Sequence, residues 1–327
     1  MPYKKLFVIL LAAILPACAN LKPAVPEVRF EKSSCNLQNT VYDPNLEPPK
    51  PIHEIHIDQT LATRLSFQSL NIANAIGILD LLTNYVNYLT LRNKNPTIEN
   101  RLAAIEISQS INQRINTSSL EISAIASELD CEEERAEQIA NYLKSKEGKL
   151  ERNLTVAAIM AGAAGAIATG LMLSQGIKGH SAEYVGIATG ITEATLGMSI
   201  LGNETEVEFY HPRNALREFW EGGATSTIFP PPVWYYLNYQ NPSEPQATSL
   251  RQKILNQWIK FKQIVDTGTE EKIKLKQLYF GNGGIYTAEQ LINRANMHDQ
   301  IESYINLMKQ DLKQLAIELE SINEQLE

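Results

Sequence analysis

TAEQLINRANMHDQIESYINLMKQDLKQLAIELESINEQL, residues 287–326, decides the fold class. Ile301, Ile305, Met308, Leu312, Leu315, Leu319, Ile322 and Leu326 follow one another by alternating steps of four and three. Such steps keep an apolar stripe on one side of a helix, which is the heptad spacing of coiled coils and bundles. Thr287 with Gln290 three residues on forms a capping box and predicts where this helix starts. A seam of nearly four heptads needs an apolar partner, either another helix of the chain or a second protomer.

A long helical stretch over 97–151 is the partner available in cis. Its seam, Ile111, Ile115, Ile122, Ile125, Leu129, Ala136, Ile139, Leu143 and Leu150, is interrupted by Ser118, Glu132 and Lys146, so it reads as an imperfect coiled coil. Upstream, Leu61, Leu65, Ile72, Ile76, Leu79, Leu82, Val86 and Leu89 predict a further helix from about Asp58, broken at Asn93–Pro96. The fold class is therefore mainly α: an elongated helical bundle with long coiled-coil-like helices.

Between the two long seams lies LTVAAIMAGAAGAIATGLMLSQGI, Leu154 to Ile177, with no charged residue in 24 positions. A second apolar stretch, Tyr184 to Gly202, follows the polar join Lys178-Gly179-His180-Ser181. The spacing predicts a Gly/Ala-rich helical hairpin over 154–202. Ala158, Gly162, Ala166 and Gly170 stand four apart, with Gly186 and Gly190 opposite them, and are read as a membrane or helix-packing face of the small-xxx-small type. By length the first arm can cross a bilayer. Glu193 and the threonines of the second arm oppose this, since a carboxylate at mid-bilayer costs about 3 kcal/mol or more. Two readings stand: a hairpin buried in the bundle, and a hairpin that enters a membrane.

The order of long helix, apolar hairpin and long helix resembles the layout of α-helical pore-forming toxins, which hold an apolar segment against a helical bundle until they meet a membrane. The resemblance is one of layout and involves no shared motif residue.

Residues 203–248 read as an irregular, aromatic-rich insertion. Nine of the chain's 24 aromatics lie between Phe209 and Tyr239. HPRNALREFWE, residues 211–221, suits a short helix, and the Pro230-Pro231-Pro232 run is expected to be extended. Trp with Arg anchors many interfaces, so Arg213, Arg217, Trp220 and Trp234 are the candidate partner-binding residues.

The chain opens MPYKKLFVILLAAILPAC. Lys4 and Lys5 precede an apolar run and a small-residue stop, the order of a secretory signal peptide over 1–17. Leu15-Pro16-Ala17-Cys18 resembles the lipobox of bacterial lipoproteins. That resemblance implies cleavage before Cys18, acylation of Cys18 and an outer-membrane anchor facing the periplasm. An ordinary cut after Ala19 also fits, and would leave a soluble periplasmic or secreted protein. Residues 18–56, with Pro23, Pro26, Pro44, Pro48, Pro49 and Pro51, read as a tether and surface wrap. Either cut leaves Cys35 and Cys131 in an oxidising compartment, where they are expected to form a disulfide. The helical domain then covers 57–327, with 287–326 as its C-terminal helix.

Net charge is −8, and loss of the two leader lysines makes the remainder more acidic still, which disfavours nucleic acid as a partner. His53-Glu54-Ile55-His56 has its histidines three apart, not the four of a zinc helix. Gly281-Asn282-Gly283-Gly284 lacks the Lys-Ser/Thr of a phosphate loop and reads as a turn. Gly197-Met198-Ser199-Ile200-Leu201 lacks the second glycine of a nucleophile elbow. No catalytic residue, metal or cofactor is expected. The sequence points to a non-catalytic envelope component that binds another envelope protein or self-associates, with a membrane-inserting hairpin protein as the alternative.

Overall fold

The computed structural model describes residues 29–30, 33–45, 47–175, 180–201, 204–243, 248–264 and 270–325. The leader, Cys18, Lys178, Gly179, Gly202 and Leu326 lie outside them. The described residues are mainly helical, as the seams predict. In chain order the elements are β1 (Arg29–Phe30), α1 (Gln59–Ala62), α2 (Phe67–Ala75), α3 (Leu79–Lys94), α4 (Ile98–Ser174), α5 (Ser181–Leu201), β2 (Glu206–Tyr210), α6 (Ala215–Glu221), α7 (Pro231–Asn238), α8 (Leu250–Lys260), α9 (Glu270–Phe280), β3 (Gly283–Thr287) and α10 (Ala288–Gln325). The strands form one small sheet in the order β1-β2-β3, with β1 parallel to β2 and Phe30 opposite Phe209.

The chain divides into two compact units. One comprises Gln138–Phe209 and Gly284–Leu291 with the N-terminal segment, and so holds the later part of α4, all of α5 and most of the sheet. The other comprises Lys32–Glu137, Tyr210–Gly283 and Ile292–Glu327. The helix expected over 97–151 does not stop before the hairpin. It runs on as α4 for 77 residues, because 151–174 holds no proline and is rich in alanine, the best helix former.

In the larger unit, the single helix expected from Asp58 to Leu89 is three. Asp58 caps α1 by accepting from Thr60 N at 2.7 Å, and Ser66 caps α2 by accepting from Ser69 N at 3.2 Å. Gly77, at φ +71°, turns the chain between α2 and α3 in the left-handed region that favours glycine. Periodicity alone ran the three together because their apolar faces meet the same core.

The α10 seam is covered within the chain. Ile301, Ile305, Met308 and Leu315 are all 0% exposed, so no room remains there for a second protomer. Tyr236 donates its hydroxyl to Asp311 Oδ2 at 2.8 Å, Ser66 N donates to Glu318 Oε2 at 2.9 Å and Tyr85 donates to Asn323 Oδ1 at 3.4 Å. The predicted capping box forms: Thr287 N donates to Gln290 Oε1 at 3.0 Å and Gln290 N to Thr287 Oγ1 at 3.3 Å.

The α4 seam buries Ile111, Ile122, Ile125, Leu129 and Ala136. Its polar interruptions are accommodated rather than wasted. Glu132, 8% exposed, pairs with Arg135 Nη1 at 3.0 Å and accepts from the Ser33 hydroxyl. Arg135 Nη2 donates to the Tyr210 carbonyl at 3.0 Å. One residue away, Cys131 forms the expected disulfide with Cys35. The segment read as a tether is a wrap where it is described. Tyr42 N donates to Thr227 O at 3.0 Å, Ile52 N to the Tyr235 hydroxyl at 3.1 Å, and Asn74 Nδ2 to Lys50 O at 2.8 Å.

The aromatic stretch read as an irregular insertion carries β2, α6 and α7 and supplies core. Phe219 lies against Phe229 and Trp258, and Phe229 stacks on Trp234 with ring centroids 5.3 Å apart. The proline run is not extended throughout: Pro231 and Pro232 open α7, where a missing N–H costs nothing because the first turn leaves it unpaired anyway.

Candidate functional site

The feature that the fold leaves unaccounted for is the hairpin of α4 and α5. Only 6% of the most apolar 18-residue window of α4 is buried. Ile159, Met160, Ile167 and Leu173 on the first arm are each more than 60% exposed, as are Ile191 and Met198 on the second. A soluble bundle helix shows the opposite, with its aliphatic side chains inward. Among the described residues, these side chains are not covered by protein.

The interior of the hairpin is built from small and polar groups. Gly165 is buried, and a Cβ there would collide with the Thr189 side chain. A Cβ on Gly162 would collide with Glu193 Oε1, so the one carboxylate of the second arm reaches across onto the glycine backbone of the first. The hydroxyls of α5 are satisfied by its own backbone. Thr189 donates to Val185 O at 3.1 Å, Thr192 to Ala188 O at 2.9 Å, Thr195 to Ile191 O at 2.8 Å and Ser199 to Thr195 O at 2.9 Å. Back-bonding of this kind lets hydroxyls sit where water is absent.

Of the predicted packing face, Ala158 and Gly162 are partly covered, whereas Ala166, Gly170, Gly186 and Gly190 are exposed, and a Cβ on any of these three glycines meets nothing within 4 Å. The cause is helical phase. Steps of four advance by about 40° each, so Gly170 lies about 120° around the helix from Ala158. The contact runs through Gly162 and Gly165, and with the half-buried Ala158, Thr169 and Met172 they alternate by four and three. Gly165 and Thr189 were missed for this reason, although the heptad test that identified the other seams also finds them.

The four residues expected to bind a partner serve the larger unit itself. Arg213 makes a bidentate pair with Glu128, at 2.6 and 3.1 Å. Arg217 donates to the carbonyls of Phe280 and Gly281 at 2.7 and 2.8 Å. Trp220 is stacked on Phe280 at 4.9 Å with the Lys276 ammonium 4.8 Å from its ring. Trp234 is 2% exposed and donates its indole N–H to Gly223 O at 3.0 Å. Of the four, Trp234 belongs to the core, while Arg213, Arg217 and Trp220 are half-buried.

Two charged clusters complete the larger unit. Asp130, Glu133 and Glu302 bring carboxylate oxygens within 4.8 Å of one another. Three such groups could share a divalent cation, though calcium takes about six to eight oxygens. Burial and then repulsion from Asp299, Glu137, Glu302 and Asp130 push the Glu133 carboxyl up to about 7. In the core, His211, Arg294 and His298 are each no more than 1% exposed. Burial, and then the Arg294 guanidinium, hold both imidazoles far below the usual histidine range. Arg294 Nη1 donates to Tyr279 O at 3.0 Å. His53 and His56 have no part in either cluster.

Comparison of the chain with protein-family models, with curated proteins and with solved structures returns no match.

Proposed function

We propose that the protein is a non-catalytic membrane protein of the bacterial envelope, held in the bilayer by the hairpin of residues 154–201 in addition to the acyl chains expected on Cys18. One observation carries this reading: the hairpin exposes its large aliphatic side chains, while Gly162 and Gly165 of the first arm meet Glu193 and Thr189 of the second. Hydrocarbon is the environment that stabilises this arrangement, because small residues let helices approach closely and outward aliphatic side chains meet lipid. The adaptor reading drew on the α10 seam, which is buried within the chain, and on the aromatic cluster, where Arg213, Arg217 and Trp220 are half-buried.

Alkaline extraction of membranes tests the proposal. The Cys18→Ser protein, with no acyl anchor, is expected to stay in the membrane pellet. Adding Ile167→Lys and Ile191→Lys, both outward positions, is expected to release it. Release of Cys18→Ser with its hairpin intact would overturn the embedding.

A further inference from the structure

Embedding leaves open whether the hairpin lies along one leaflet or passes through both. The geometry points to complete crossing, with the base of the hairpin at one surface and its tip at the other; this inference rests on the embedding proposed above.

A helix that lies in the interface needs a polar face turned to water and an apolar face turned to lipid. The first arm has no such division, since it carries no charged residue from Leu154 to Ile177. Ile167 and Leu173 are six residues apart, hence about 120° apart around α4, and are 64% and 67% exposed. On α5, by contrast, Ile187, Ile191 and Met198, 60%, 62% and 75% exposed, lie within about 40° of one another and share one face. The hydroxyls of α5 do not supply a water-seeking face, since they donate to their own helix. Glu193 brings Oε1 against the Gly162 backbone, although the residue as a whole is exposed.

Length agrees. The 21 residues of α5 rise about 31 Å, and the hydrocarbon core is about 30 Å thick. Charge then marks the two ends. Arg152 precedes the first arm, and Glu204 follows the second. At the opposite end His180 and Glu183, 75% and 71% exposed in their side chains, lie 2.6 Å apart. A hairpin lying flat would keep both ends in the same headgroup layer. A crossing hairpin delivers the His180–Glu183 end to the far side, while residues 152 and 204 stay on the near side.

The test uses the full chain carrying Cys18→Ser, Arg152→Cys and Ser181→Cys, both new cysteines at exposed positions and the native pair tied up in its disulfide. The protein is reconstituted into sealed phosphatidylcholine/phosphatidylglycerol vesicles, treated with a membrane-impermeant maleimide and weighed intact. Crossing predicts one label per chain whatever the orientation, rising to two when detergent opens the vesicles. Chains with two labels or none before detergent would overturn the crossing. If such chains still resist alkaline extraction, the embedding stands without it; if they are extracted, both readings fall.

Discussion

Gly165 and Gly170 lie five residues apart on the first arm, and replacing each by alanine should move stability in opposite directions. Alanine is favoured over glycine by about 1 kcal/mol in a helix interior. At Gly170 the new methyl meets nothing within 4 Å, so the whole propensity gain is retained. At Gly165 it would stand 2.8 Å from Thr189 Cβ, and a β-branched side chain has little freedom to retreat. Overpacking of this kind costs about 1–3 kcal/mol. The net expectation is a loss of about 1 kcal/mol for Gly165→Ala and a gain of about 1 kcal/mol for Gly170→Ala. A gap of about 2 kcal/mol is roughly a 30-fold difference in opening equilibrium. Hydrogen–deuterium exchange of the amides of 161–172, in the full chain in detergent micelles, reads it directly. Equal shifts of the same sign in the two variants would refute the packing of the arms through Gly165.

Three further expectations concern the larger unit. Replacing Cys35 and Cys131 together by serine frees a loop of 96 residues and should cost about 4–5 kcal/mol in the chain-entropy model, seen as a lower urea midpoint; a change under about 1 kcal/mol would contradict a native disulfide. Glu133 has a folded pKa raised to about 7, so its contribution is fully present below the ordinary carboxylate pKa and is lost as pH rises from about 4.5 to 7. Glu133→Gln should therefore be neutral at pH 4 and stabilising by about 1 kcal/mol at pH 8, a figure reduced for its partial exposure; a pH-independent difference between variant and parent would remove the argument. Trp234→Ala should lower stability by about 3–5 kcal/mol through loss of its stack on Phe229, whereas a surface anchor would leave the thermal midpoint unchanged.

Several features were legible in the residues themselves. The α10 seam, its Thr287–Gln290 box and the Cys35–Cys131 pair follow from spacing, local hydrogen-bond chemistry and cysteine arithmetic, and none of these needs a distant part of the chain to be known. The hairpin was legible too, as two apolar stretches about a polar join. Its environment was not, because composition alone is the same for a buried apolar helix and a lipid-facing one.

Phase and occupancy are what only the tertiary structure decided. A row of small residues four apart looks continuous in sequence, but it winds around the helix, so which glycines meet the other arm depends on where that arm sits. Arg213, Arg217, Trp220 and Trp234 carry the chemistry of an interface, yet Glu128, the carbonyls of 280 and 281, Phe280 and Phe229 contact them within the chain, and all of these partners but Phe229 lie 60 to 85 residues away. Sequence by itself determined which residues would form helices and which cross-link would close. The folded chain determined which apolar faces were covered, because burial is a property of neighbours brought together from afar, and among the described residues it left the aliphatic side chains of the hairpin exposed.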